Sequence, residues 1–200
     1  MTLLILGLIL FLGSHSIRIV AEPWRLRTIA TMGANRWKGT LGLVSLAGFV
    51  MLVMGYGEVR GTTDMLWMPP TGLRHLAGLL VLVAFILLAA SGFPGNAIKA
   101  RVGHPMILGV KVWALAHLLA NGSALDMAVF GCFLVWAVFS FRAARQRDRA
   151  AGAAESAVGV VEAVPVSARA TTLTVVAGII GWALIAFWLH GLLIGVRPFG

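Results

Sequence analysis

Five histidines, one lysine inside an apolar run and one cysteine are the residues of this 200-residue chain whose types can carry chemistry. His15 follows Gly13 and Ser14 late in a first apolar stretch. His104 and Pro105 open a fourth, in which Lys111 and His117 lie; His75 starts the third and His190 is near the end of the sixth. An ionisable group placed in lipid is costly, so each is a functional candidate. At 100° per residue, His104 and Lys111, seven apart, share a helix face, whereas His104 and His117, thirteen apart, point about 140° away from each other. Trp113, His117 and Asn121 recur at intervals of four and form a second, polar and aromatic stripe. Cys132 alone allows no internal disulfide and no multi-cysteine metal site. Among Phe130, Gly131 and Phe133 it reads as a small buried apolar residue.

Depth favours two of the histidines. His15 lies about 20 Å down its helix from one surface and His117 about 18 Å up from the other, so in a core of ~30 Å their Cα levels differ by roughly 8 Å. Two imidazoles reaching toward one iron could span that offset. A haem edge-on between helices would then turn its carboxylates toward an interface, where Arg18, Arg25 or Arg36 could pair with them. Spacing alone leaves a second reading open, in which such histidines are interhelical hydrogen-bonding residues. His75 and His190, close to the outer surface, read as solvated or snorkelling, and Lys111, about two turns into its span, can snorkel toward the cytoplasmic side.

The elements that must hold these residues follow from composition. With 60% apolar and only 12% charged residues, 24 glycines and a mean hydropathy of +0.94, the chain is neither a soluble domain nor a secreted disulfide scaffold. The pattern predicts an all-α fold, a polytopic transmembrane helical bundle of about six spans forming one membrane domain over 1–200. The spans fall at about 2–20, 38–57, 71–91, 105–120, 123–141 and 171–194. Asn121 and Gly122, with the serine that follows, predict a tight turn and an antiparallel hairpin. The first stretch has no basic residue ahead of it and no convincing cleavage site, and reads as a retained helix rather than a signal peptide. Twelve of the sixteen basic residues lie in the odd loops, which places those loops in the cytoplasm and both termini outside. The net charge of +9 is therefore mostly topology, and nucleic acid is not an expected partner. Residues 142–170 read as a flexible cytoplasmic loop.

Two stretches go further. His104-Pro105-Met106-Ile107-Leu108-Gly109, followed by Trp113-Ala114-Leu115-Ala116-His117-Leu118 and Asn121-Gly122, resembles the signature of the NnrU family, which includes the plant and cyanobacterial 15-cis-ζ-carotene isomerases. Gly13-Ser14-His15-Ser16, then Gly33-Ala34-Asn35-Arg36 and the span from Trp37, is similar to the same family's first two helices, and the likeness covers most of 1–141. The resemblance implies a b-type haem as cofactor, with His15 and His117 as axial metal ligands and His104, Arg18 and Arg36 completing the cofactor site. It also implies a place in the bacterial inner membrane and, in the bacterial branch, a role in nitrite and nitric oxide metabolism during denitrification. Where the isomerases carry a cysteine three residues before the second axial histidine, this chain has Ala114, and its arginine cluster runs into alanine-rich sequence. These departures tell against carotenoid isomerisation and leave the two-histidine site intact. Three functions remain in view: haem-dependent nitrogen-oxide metabolism with nitric oxide as ligand, cis–trans isomerisation of an apolar polyene, and a non-catalytic assembly or transport factor in the bilayer.

Overall fold

A computed structural model describes residues 1–158 and 165–199, and most of their backbone is helical. In chain order the helices are α1 (Thr2–Val20), α2 (Glu22–Met32), α3 (Ala34–Val59), α4 (Thr71–Gly92), α5 (Ala97–Val102), α6 (Pro105–Ala120), α7 (Ala124–Val158) and α8 (Ala168–Leu184). A π-helical turn (Ile185–Leu189) and α9 (His190–Ile194) follow. No strand occurs among the described residues, where pairing is limited to an isolated bridge between Met65 and Ser123. Five helical stretches, Thr2–Val20, Ala34–Val59, Thr71–Gly92, Ala124–Gly152 and Ala168–Ile194, are long and apolar enough to cross a membrane. The helical membrane bundle expected from composition is what forms. The fourth expected span, α6, has 16 residues, about 24 Å, and is shorter than a ~30 Å hydrocarbon core.

Helix boundaries follow local chemistry. α3 begins at Ala34, earlier than Lys38, because the chain turns at Gly33, whose φ of 89° lies in the region open to glycine, and nothing from Ala34 onward breaks a helix. The larger correction is in the expected loop 142–170: helix α7 continues through it to Val158. Alanine and arginine are strong helix formers, and Arg142-Ala143-Ala144-Arg145 has no breaker. The part of that loop at 159–164 lies outside the described residues. α8 then starts after Ser167, whose hydroxyl accepts from the Ala170 N–H at 3.4 Å. Two short helices, α2 and α5, stand where plain loops were expected.

The chain divides into two compact units, one of Met1–Leu66 with Ser123–Leu125, the other of Trp67–Gly122 with Asp126–Gly200. In the first, α1 packs along α3 on glycines: a Cβ at Gly48 would come within 2.6 Å of the Phe11 nitrogen, and one at Gly7 within 2.7 Å of the Leu52 Cα. Small residues let the two backbones approach this closely, which is how membrane helices gain van der Waals contact. In the second unit, α4 is central. Gly109 of α6 sits against the Ala84 carbonyl, and a Cβ at Gly178 of α8 would meet the Ile86 Cα at 2.6 Å.

Side-chain size is distributed for lipid. Ala77, Ala84, Ala90, Ala114 and Ala137 are buried, while Leu79, Val83, Val135, Phe139, Ile180 and Phe187 are exposed. Small residues at the helix contacts with large apolar ones outside suit a hydrocarbon solvent and not water.

Candidate functional site

In the first unit, the His15 ring is set by the turn before it. Its Nδ1 lies 2.7 Å from the Phe11 carbonyl oxygen, so Nδ1 carries the proton and donates, and the lone pair resides on Nε2. The Phe11 ring lies 4.6 Å from the imidazole, and Phe49 of α3 lies 5.9 Å from Phe11. Just beyond, α1, α2 and α3 enclose an open cavity of about 700 Å³ lined by His15, Arg18, Arg25, Trp37 and Lys38 among others. Arg36, expected beside Arg18, is exposed and does not line it. Lys38 takes its place.

In the second unit, His117 repeats the arrangement of His15. Its Nδ1 donates to the Trp113 carbonyl at 2.9 Å, which again leaves the lone pair on Nε2. The imidazole packs on the Trp113 ring at 4.7 Å and on the Phe130 ring of α7 at 4.5 Å, and Trp113 itself packs edge-on against Phe130 and Phe133 at 5.3 Å, so the three rings of His117, Trp113 and Phe130 touch in a triangle. Asn121 completes the stripe by donating to the His117 carbonyl at 2.9 Å. These contacts bear out the expected hairpin of α6 and α7. Gly122 at its tip is required by space, since a Cβ there would strike the Trp67 carbonyl.

Spacing divides α6 into two faces, but the rings met from it, Phe130 and Phe141, are eleven apart and share one face of α7. His104 and Lys111 both reach Phe141, the first edge-on at 6.3 Å and the second with Nζ 5.9 Å above the ring, whereas His117 faces Phe130. His104 stands at the cap position ahead of Pro105, as expected for a helix start, but its side chain makes no capping bond. Its Nε2 instead meets the Asp148 carboxylate at 2.8 Å, with Arg145 3.6 Å from the same oxygen. That partner was out of reach of a reading in which 142–170 was a loop.

Cys132 also departs from expectation: it is exposed. Phe130 and Phe133 turn toward α6, and Cys132, about 200° around the helix from Phe130, faces away. His75 is exposed, as expected near a surface. His190 is not merely a surface residue: it is half-buried, donates from Nδ1 to the Val196 carbonyl at 2.7 Å, and lies close enough to His117 to act on it electrostatically, as does Asp126. Asp126 was foreseeable, because it is about as far beyond the hairpin tip as His117 is before it. His190 was not, because the π-helical turn ahead of it inserts a residue and shifts the face it presents. Among the described residues no three of His, Cys, Asp and Glu gather as a metal site. The metal-binding groups on offer are single imidazoles in the ligand tautomer.

A family model described as NnrU protein matches residues 3–198. The chain belongs to the NnrU family. No curated protein and no solved structure matches it. Nearly the whole NnrU-family chain is covered, so α8 and α9, beyond the stretches that first carried the likeness, belong to the same family architecture. Together with the five membrane-length apolar helices, membership fits a multi-pass integral membrane protein in a lipid bilayer.

Proposed function

We propose that this NnrU-family protein holds b-type haem with His15 and His117 as the residues that would ligate its iron, and that it serves nitrite and nitric oxide metabolism in the bacterial inner membrane. The pairing of the two residues comes from the sequence resemblance. The observation that carries it is their shared local geometry. Each imidazole donates from Nδ1 to the carbonyl four residues earlier and rests on the aromatic ring of that same residue, Phe11 or Trp113. A backbone carbonyl on Nδ1 fixes the tautomer, orients the ring and raises the basicity of Nε2, which is what an iron ligand needs. The donor set therefore fits the group.

When bound, haem supplies one-electron redox chemistry and an iron that takes nitric oxide. The chain's own residues do the rest. His117, packed against Trp113 and Phe130, and His15, exposed on its helix, would each offer Nε2 to the iron. Arg18, almost one turn beyond His15 and lining the same cavity, would pair with a haem carboxylate. Ala114 is fully buried and offers no thiol near His117, so the polyene isomerase reading has no redox-active side chain there.

Protein purified from haem-replete cells is expected to carry about one haem per chain and to shift its Soret band when the reduced form meets nitric oxide. A colourless preparation after haem supplementation defeats this reading. A haem-loaded protein whose reduced spectrum ignores nitric oxide defeats its nitrogen-oxide part.

A further inference from the structure

The cavity of the first unit has a composition that two iron ligands do not explain. Its wall is apolar, from Ile29 of α2 and the buried Trp37 of α3, and its rim carries Arg18, Arg25 and Lys38 from three different helices. Arg25 is held in place by Glu22, Nη1 to Oε1 at 2.9 Å, which orients the guanidinium and leaves other N–H groups on it. Lys38 is exposed in the second turn of α3. α2 has 11 residues, too few to span; it buries none of them, and Trp24 and Leu26 are exposed. A short helix with exposed Trp, Leu and Arg, joined to membrane-length helices at both ends, has the composition of one that lies in the headgroup layer. The loop that contains it is one of the basic loops assigned to the cytoplasmic face, where anionic lipids concentrate.

We propose that the cavity formed by α1, α2 and α3 binds the phosphate of an anionic phospholipid, with Arg25 and Lys38 on the phosphate and the lipid's apolar part against Ile29 and Trp37. An arginine fork and an ammonium group are the phosphate-binding pair, one giving directed hydrogen bonds and the other a point charge. A volume of about 700 Å³ is within the range of small-molecule sites and takes a headgroup with its glycerol. The site does not depend on iron at His15.

Native mass spectrometry of the full chain in detergent tests it, with phosphatidylglycerol, phosphatidylcholine or inorganic phosphate added and haem content read in the same samples. The wild-type protein is expected to retain phosphatidylglycerol about 10-fold more tightly than phosphatidylcholine. Lys38→Gln is expected to remove most of that preference, and Lys38→Arg to keep it. Because Lys38 is exposed, its neutral variant folds; melting temperature in detergent confirms this for both variants. Displacement of the lipid by millimolar phosphate would mean that free phosphate fills the same site, and resistance to it that the apolar part is needed. Equal retention of the two lipids, or a preference unchanged in Lys38→Gln, overturns the proposal. A haem-free protein that still selects phosphatidylglycerol upholds this site and rejects the haem reading, and a haem-loaded protein with no lipid preference does the reverse.

Discussion

At the scale of single residues, what separates His15 and His117 from His104 is the partner each nitrogen has. Both hold Nδ1 on a carbonyl one turn back, whereas His104 spends Nε2 on Asp148. His104→Ala is therefore expected to leave haem content unchanged. The partly exposed contact with Asp148 is worth at most about 1 kcal/mol, so the variant melts slightly earlier in detergent. Loss of haem in that variant would return His104 to the cofactor site. Trp113→Ala should do more, because one ring braces His117, Phe130 and Phe133 together; with the indole only half-buried, about 2 kcal/mol is expected, below the range for a fully buried tryptophan. Weakened haem retention should accompany it, measured as haem lost on dilution. The stripe of Trp113, His117 and Asn121 was legible because it depends on one helix and its period alone. The partners of His104 and His190 were not, since one depends on how far α7 continues and the other on a π-helical turn.

At the scale of elements, hydropathy located the apolar helices, and their ends were less visible. The helix of Thr2–Val20 falls where the pattern put it, and so does that of Pro105–Ala120. α7 overran its expected end because helix propensity, and not hydropathy, decides where a helix leaves the membrane and keeps going. Glycines, unremarkable in a count, prove to be the helix contacts. Gly48→Leu is expected to force α1 and α3 apart, since even a Cβ meets the Phe11 backbone. Overpacking of this kind costs about 1–3 kcal/mol or more, visible as a lower melting temperature in detergent. Gly39→Leu on the same helix, with open space around it, is the matched control and should change little.

At the scale of the whole molecule, the few charges in a mostly apolar chain divide into topology and site. The positive-inside expectation of both termini on the outer face would require α6 to cross despite its 16 residues. Reporter fusions at each end should give the same, external, signal; opposite signals would show that α6 does not span. Family membership and a helical membrane architecture were both legible from residue types and spacing, because span length and the His-Pro to Ala-His interval are local properties. The cationic cavity was only half legible: Arg18 and Arg25 were in view, but Lys38 joins them through the packing of α2 and α3. Ligation of one iron by two imidazoles from different helices is open to electron paramagnetic resonance of the oxidised, purified protein. The wild type is expected to give a low-spin signal that becomes high-spin or disappears with the haem in both His15→Ala and His117→Ala. A low-spin signal that survives either substitution would contradict it.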